Sequence, residues 1–266
     1  MFFGGITGSA VADTSAVGSV LIPAMKQDGY EPSFAAAVTA SSSTMGPIIP
    51  PSIPMLVYAF VSGASVGALF LAGVIPGLLI GFTMIALNMF LVRRRGVHDV
   101  ERGAFTFTRE EKWAAFRDGL LALVMPVIIV GGIVFGITTP TEAAAIAAFY
   151  ALLIGTFIFR EIQFARMPQV LLDTSIPSAV VLLIIATSKI LAFVFAYEQI
   201  PDQVAEFITS MTTTWWIFLI IVIVLLLLVG MLLEPSGAII VLVPVLLPAA
   251  KAMGIDPVHF GTVIVF

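Results

Sequence analysis

Residues 66–92 run for twenty-seven positions without one charged side chain. About twenty apolar residues in a helix cross the roughly 30 Å hydrocarbon core of a bilayer, so such a run leaves very few environments open. Other predominantly apolar segments occur at 118–137, 141–159 and 171–197, and a fifth, interrupted in its middle, at 33–62. Only 11% of the 266 residues are charged, against about a quarter in a soluble domain. That leaves too little polar surface to cover a water-exposed globule. The fold class that follows is all-α integral membrane, with the lipid bilayer as solvent. No basic tract of the nucleic-acid type is present, and the absence of cysteine excludes disulfides and thiolate metal sites.

Charge sets the orientation. Seven of the twelve Lys and Arg residues fall between two crossings: Arg93, Arg94, Arg95, Arg102, Arg109, Lys112 and Arg117. Arg160 and Arg166 lie two crossings later, whereas 198–213 holds Glu198, Asp202 and Glu206 and no basic residue. The positive-inside rule puts the first two loops in the cytoplasm and the third outside. The arginine loop reads as a solvated topology signal, with contact to a partner or lipid headgroups as its other use. Pro76, Pro126 and Pro177 lie inside crossings and are expected to kink them, which membrane helices tolerate. Thr139-Pro140-Thr141-Glu142 reads as a helix start, with Thr139 as cap, a proline in the first turn and an acid at the positive dipole end.

An internal repeat carries more information. Leu21–Pro32 matches Leu246–Pro257, with six of twelve positions identical, including the ordered Pro, Lys, Gly and Pro. With a short gap upstream, Asp13-Thr14-Ser15-Ala16 lines up with Glu234-Pro235-Ser236-Gly237. Five crossings separate the loop at 28–32 from that at 198–213, and an odd number inverts the second copy. Inverted repeats with polar, Gly/Pro-interrupted segments at corresponding positions are the pattern of secondary transporters.

Two segments are positioned to carry chemistry. Residues 1–27 hold two apolar stretches separated by Ala12-Asp13-Thr14-Ser15, and the first is too short to span. A re-entrant hairpin with its polar tip at mid-membrane is expected, facing protein or a watery cavity. Asp13 there must bind a cation, pair, or cap the second arm. The second segment runs from Thr39 to Pro54 and contains Ser41, Ser42, Ser43, Thr44, Gly46, Pro47, Pro50 and Pro51. A continuous helix cannot pass these prolines without losing backbone hydrogen bonds. The freed carbonyls and the four hydroxyls are hard neutral oxygens suited to Na⁺. A helix N-terminus beyond the break would attract an anionic group. The alternative is a proline kink with serines bonded back to their own helix.

In the second copy, Glu234-Pro235-Ser236-Gly237 separates the arms of a hairpin over 214–251 that enters from outside. A new apolar helix starts at Pro257, and its Ser/Pro break is expected in further chain beyond Phe266. Other residues are weaker. His98 and His259 are far apart in sequence, which speaks against a histidine-based site. Lys189, within an apolar run, could pair with a carboxylate or snorkel. Trp215 and Trp216 fit an interfacial belt.

Gly8–Asp13, Gly18–Met25, Ser42–Pro54, Leu71–Gly77, Thr139–Ala144, Glu198–Pro201 and Gly254–Gly261 together resemble the large membrane subunit of tripartite ATP-independent periplasmic (TRAP) transporters. The resemblance implies an elevator-type ion-transporter fold with re-entrant hairpins and broken helices. It implies a transport-domain half at 1–62, a connecting arm and scaffold at 63–212 with a cytoplasmic loop at 93–117, and a second transport half at 213–266. It further implies Na⁺-driven import of an organic acid, of the C4-dicarboxylate or sialic acid class, across the bacterial inner membrane. The partners implied are a periplasmic binding protein and a small four-helix membrane subunit. On this basis Asp13, Ser15, Ser43, Thr44 and Gly46 are the Na⁺ candidates. Ser41, Ser42, Pro50 and Ser236 are the substrate candidates, and Glu234 marks the second hairpin tip, where the family more often has aspartate. A channel with re-entrant loops and, further off, an intramembrane enzyme are the competing classes. Saturable, Na⁺-dependent uptake separates a carrier from a channel, and Asp13, Asp173 and Glu234 show no partner motif of an intramembrane protease.

Overall fold

The computed structural model describes residues 8–94, 108–201, 203, 204, 206 and 214–266, with only the backbone at 111, 112, 114, 115, 117 and 118. The first hairpin arm up to residue 7, Arg95, His98, Arg102, Asp202 and the side chains of Lys112 and Arg117 lie outside the described residues. The described chain is helical and contains no strand. In order the main helices are α1 (Ala10–Gln27), α2 (Pro32–Ser43), α3 (Ile53–Ser62), α4 (Val66–Arg94) and α5 (Arg109–Val134). They are followed by α6 (Pro140–Leu153, continued by a π-helical turn at Ile154–Ile158), α7 (Met167–Tyr197), α8 (Trp215–Gly230), α9 (Pro235–Ala252) and α10 (Pro257–Val265).

Among the described residues four segments are long and apolar enough to cross a membrane: α4, α6 with its π turn, α7 with the turn before it, and α9. The first three coincide with expected crossings. The apolar part of α5 is shorter, and the interrupted segment at 33–62 is indeed two short helices. The helices α4, α5 and α7 continue through Pro76, Pro126 and Pro177. Leu182, Leu183, Ile190 and Phe193 on α7 are exposed, as side chains turned to lipid must be. These features define a multi-pass membrane protein.

The sequence repeat encodes a helix end, a turn and a helix start. At the end of α1, Gly29 N–H donates to Lys26 O (3.2 Å) and Tyr30 N–H to Met25 O (3.0 Å). At the end of α9, Gly254 N–H donates to Lys251 O (3.0 Å) and Ile255 N–H to Ala250 O (3.0 Å). Both are Schellman ends, whose left-handed position favours glycine; Gly29 has φ 82° and Gly254 φ 76°. Lys26 and Lys251 meet the negative dipole end in the last turn. Pro32 and Pro257 then open the next helices, where no N–H is needed. Both repeat helices are 18 residues long. Their N-caps are Ser9 and Glu234, so the two helices correspond from cap to end turn without the gap expected from sequence.

The chain forms two compact units, one of Met1–Ser52 with Gly73–Tyr150 and one of Ile53–Ala72 with Ala151–Phe266. In the first, α1 packs on α2. Ala35, Thr39 and Ser43 are buried along one stripe of α2, at the i, i+4, i+8 spacing of a single helix face. A β-carbon on Gly18 would lie 3.2 Å from Thr39 Cγ2, which is the close approach that small residues permit between membrane helices. The start of α6 is held by a capping box. Thr139 N–H and Oγ1 donate to Glu142 Oε2 at 2.8 and 2.9 Å, and Glu142 N–H donates to Thr139 Oγ1 at 3.3 Å.

In the second unit, α9 packs on α3, α7, α8 and α10. Tyr58, Phe218 and Phe260 are fully buried, and the two phenylalanines stack with centroids 6.0 Å apart. Lys189 on α7 places its ammonium 4.8 Å from the Phe60 ring centroid. A cation over an aromatic face is favourable, so the residue expected to pair or snorkel has an aromatic neighbour. Trp215 and Trp216 open α8 half-exposed, as interfacial residues do.

Candidate functional site

The helix α1 begins earlier than expected. Ser9, in extended conformation, is its N-cap, with Ala12 N–H donating to Ser9 Oγ (3.4 Å). Asp13, Thr14 and Ser15 therefore lie in the helix rather than in a tip, and Asp13 is not the cap. The cause is local: a capped start with an acid in the first turn already satisfies the helix dipole. Thr14 Oγ1 donates back to Ala10 O (2.8 Å), so it has no need of a turn.

Asp13 is buried, at 3% exposure, and so is Ser43 at 4%. The antiparallel pairing of α1 and α2 brings the first turn of α1 to the residues just past α2. A β-carbon on Gly46 would sit 2.6 Å from Asp13 Oδ2, 3.1 Å from Ser9 C and 3.2 Å from Ser9 O. A β-carbon there would require the Asp13 carboxylate and the Ser9 backbone to shift. The carboxylate, the carbonyl that ends the capping residue and the backbone of the break thus converge on one buried spot.

Helix α2 stops at Ser43, and residues 44–52 pass as turns to α3. Gly46 N–H donates to Ser43 O (3.0 Å) and Ile49 N–H to Met45 O (2.9 Å). The groups that would close α-helical bonds to Gly46 O, Pro47 O and Pro50 O belong to Pro50, Pro51 and Pro54, which have no N–H. Buried Ser52 donates instead to Pro47 O, and the Pro50–Pro51 peptide is cis. Gly77 of α4 rests beside the break, with a β-carbon there 3.4 Å from Ile48 Cγ2.

The four consecutive hydroxyls all donate within their own helix. Ser41 donates to Val38 O (3.1 Å), Ser42 to Thr39 O (3.0 Å), Ser43 to Thr39 O (2.8 Å) and Thr44 to Ser41 O (2.7 Å). Donation fixes each hydrogen and leaves the oxygen lone pairs available as acceptors. The back-bonded arrangement is thus compatible with cation binding and with a plain kink.

Of the other candidates, Ser15 is exposed and about 200° around α1 from Asp13. Ser41 and Thr44 are exposed, Ser42 is half-buried and Pro50 is buried. In the second unit Glu234 caps α9, accepting from Gly237 N–H (3.2 Å), and Ser236, buried, donates to Glu234 Oε1 (3.0 Å). The sequence reading missed Ser9 and Ser52. A Gly-Ser pair directly before an apolar helix with Asp in its first turn was the signal for Ser9.

A buried carboxylate beside a proline-broken helix, in a polytopic chain, defines the class: a membrane protein with polar irregular backbone inside its transmembrane region. The family model described as tripartite ATP-independent periplasmic transporter, DctM component, matches residues 1–266. The chain belongs to that family, a transporter component and not an enzyme. It is 37% identical to the sialic acid TRAP transporter large permease protein of Vibrio cholerae, over 98% of this chain and 60% of that protein. It is 36% identical to the 2,3-diketo-L-gulonate TRAP transporter large permease protein of Escherichia coli, over 100% and 61%. The C4-dicarboxylate TRAP transporter large permease protein of Pseudomonas aeruginosa is 38% identical, again over 100% and 61%. The chain thus spans about three fifths of the length of these relatives.

Proposed function

We propose that this chain is part of a Na⁺-coupled permease that imports an organic acid anion across the bacterial inner membrane by an elevator motion. The acid is delivered by a periplasmic binding protein, and a small four-helix subunit accompanies the permease. The observation that carries the reading is the approach of Asp13 Oδ2 and the Ser9 carbonyl to Gly46. A carboxylate buried in a membrane region is costly unless a cation or hydrogen-bond donors meet it. A first-turn acid, carbonyl oxygens and donor-satisfied hydroxyls make a hard oxygen set of the kind Na⁺ takes beside broken helices.

The proposed ion residues are Asp13, Ser15, Ser43, Thr44 and Gly46, of which Asp13, Ser43 and Gly46 are buried and stand first. Ser41, Ser42 and Pro50 face the substrate, with Ser236 and the Glu234 cap forming the tip of the second hairpin. The repeat helices α1 and α9 are taken as inverted copies, on the odd number of crossings between them. The transport halves are 1–62 and 213–266, and 63–212 is arm and scaffold. The named relatives carry a carboxylic acid in each case, which supports an anionic substrate.

The test is uptake of radiolabelled organic acids into proteoliposomes holding the full-length permease, its small subunit and its binding protein. Saturable uptake that needs an inward Na⁺ gradient and is lost in Ser43→Ala/Thr44→Ala supports the reading. Uptake indifferent to Na⁺ overturns the coupling, and non-saturating flux overturns the carrier in favour of a channel.

A further inference from the structure

At the end of α4 three unlike hydrogen-bond donors share one open surface cavity. Tyr30, Asn88 and Arg93, with Met89 and Val92, line a space of about 380 Å³. We propose that this cavity is a binding site for an anionic phospholipid of the cytoplasmic leaflet, holding its headgroup phosphate.

The donors suit that ligand. A guanidinium presents a planar fork to two phosphate oxygens, and an amide and a phenol supply further N–H and O–H donors. Met89 and Val92 offer apolar walls to the first carbons of the acyl chains. Arg93 lies in the last turn of α4, and Asn88 lies five residues deeper, about 7.5 Å along the helix axis. Asn88 is the sole asparagine of the chain and stands between Leu87 and Met89 in a membrane-crossing helix. An amide at that depth is costly unless a polar group meets it.

The cavity is also preformed on its other wall. The Tyr30 ring stacks on Phe34, with centroids 6.1 Å apart and planes 14° apart. Its backbone is fixed by the Schellman bond to Met25 O. Lys26, Arg93 and Arg94 bring three positive charges to these helix ends, against Asp28 and Glu31. Glu31 accepts the Ser33 hydroxyl (2.6 Å). The negative dipole end of α4 opposes an anion, and its two terminal arginines offset that end. Anionic lipids concentrate at the cytoplasmic face, which is the side the arginine count assigns to residues 93–117. The site is independent of Na⁺ coupling and of the transported acid.

Native mass spectrometry and thermal unfolding of the full-length permease in detergent test the proposal, with phosphatidylglycerol, phosphatidylcholine and soluble glycerol 3-phosphate as probes. Phosphatidylglycerol should bind about fivefold tighter than phosphatidylcholine, the preference one basic residue supplies near a membrane surface. Arg93→Gln with Asn88→Ala should abolish that preference, and Arg94→Gln, outside the cavity, should keep it. Arg93→Lys with Asn88→Ala retains the charge but not the fork, and replaces the neutral variant if that one does not fold. Equal binding of the two lipids overturns the site. Equal loss in Arg94→Gln would show diffuse charge attraction instead. Glycerol 3-phosphate binding as tightly as the lipid would make the ligand a soluble phosphate and overturn the lipid assignment.

Discussion

Gly46 lies under the carboxylate of Asp13, with no room for a β-carbon between them: Oδ2 would be 2.6 Å away and the Ser9 carbonyl carbon 3.1 Å. The carboxylate can swing aside. The backbone of a capped helix start cannot do so without losing its cap. Gly46→Ala should therefore cost about 1–3 kcal/mol, the usual range for overpacking, and depress Na⁺-dependent uptake. Gly77→Ala on α4, where the nearest atom would lie at an ordinary 3.4 Å, should leave both nearly unchanged. Thermal unfolding and uptake of the two variants side by side check the contrast.

Tyr58 and Gly261 form the corresponding close contact in the other unit. A β-carbon at Gly261 would collide with the Tyr58 ring, which is fixed because its hydroxyl donates to Pro257 O (2.6 Å). Tyr58→Phe removes one buried hydrogen bond and should lower stability by about 1 kcal/mol. Gly261→Ala should lower it more, by about 1–3 kcal/mol. Because both changes act on one ring, the double variant should fall short of the sum, and a double-mutant cycle in detergent measures the difference. An additive result would mean that the ring has room to shift.

The two Schellman glycines give a third expectation. At φ 82° and 76°, an alanine at Gly29 or Gly254 must adopt the left-handed region at a cost of about 1–2 kcal/mol. Asparagine, which tolerates that region, should cost less. If the two positions are equivalent, as their matching hydrogen bonds suggest, the alanine penalties should agree within about 0.5 kcal/mol.

These glycines also mark what the sequence makes legible. Pro, Lys and Gly at fixed offsets specify backbone directly, so the helix ends at 28–32 and 253–257 could be read without tertiary information. The crossings and the break at Pro47–Pro51 were legible for the same reason, since apolar length and missing N–H groups act locally. The start of α1 was not. A run of Asp, Thr and Ser suits a turn as well as a first helical turn, and the choice fell to the Ser9 cap and to the packing of Asp13 on Gly46, thirty-three residues on. The grouping of Ile53–Ala72 with Ala151–Phe266 was beyond reach as well. It rests on contacts such as Tyr58 to Pro257, which no local pattern announces. The hydroxyl run was recognised, but only the structure supplies its donors' destinations, the carbonyls of α2 itself.

Asp13 separates the ion site from a merely structural cluster. Asparagine keeps the size of the side chain and its carbonyl oxygen but removes the charge. If the carboxylate balances a bound Na⁺, Asp13→Asn should raise the Na⁺ concentration for half-maximal uptake by about tenfold, equivalent to ~1.4 kcal/mol. The affinity for the organic acid at saturating Na⁺ should change far less. Ser15→Ala, on the exposed side of α1, should leave the Na⁺ dependence alone unless that hydroxyl also reaches the ion. Should Asp13→Asn lower the thermal stability in Na⁺ and in choline alike, with an unshifted Na⁺ curve, the carboxylate serves packing and the coupling ion must bind elsewhere. A loss of Na⁺-induced stabilisation, with the choline value retained, identifies Asp13 as a ligand.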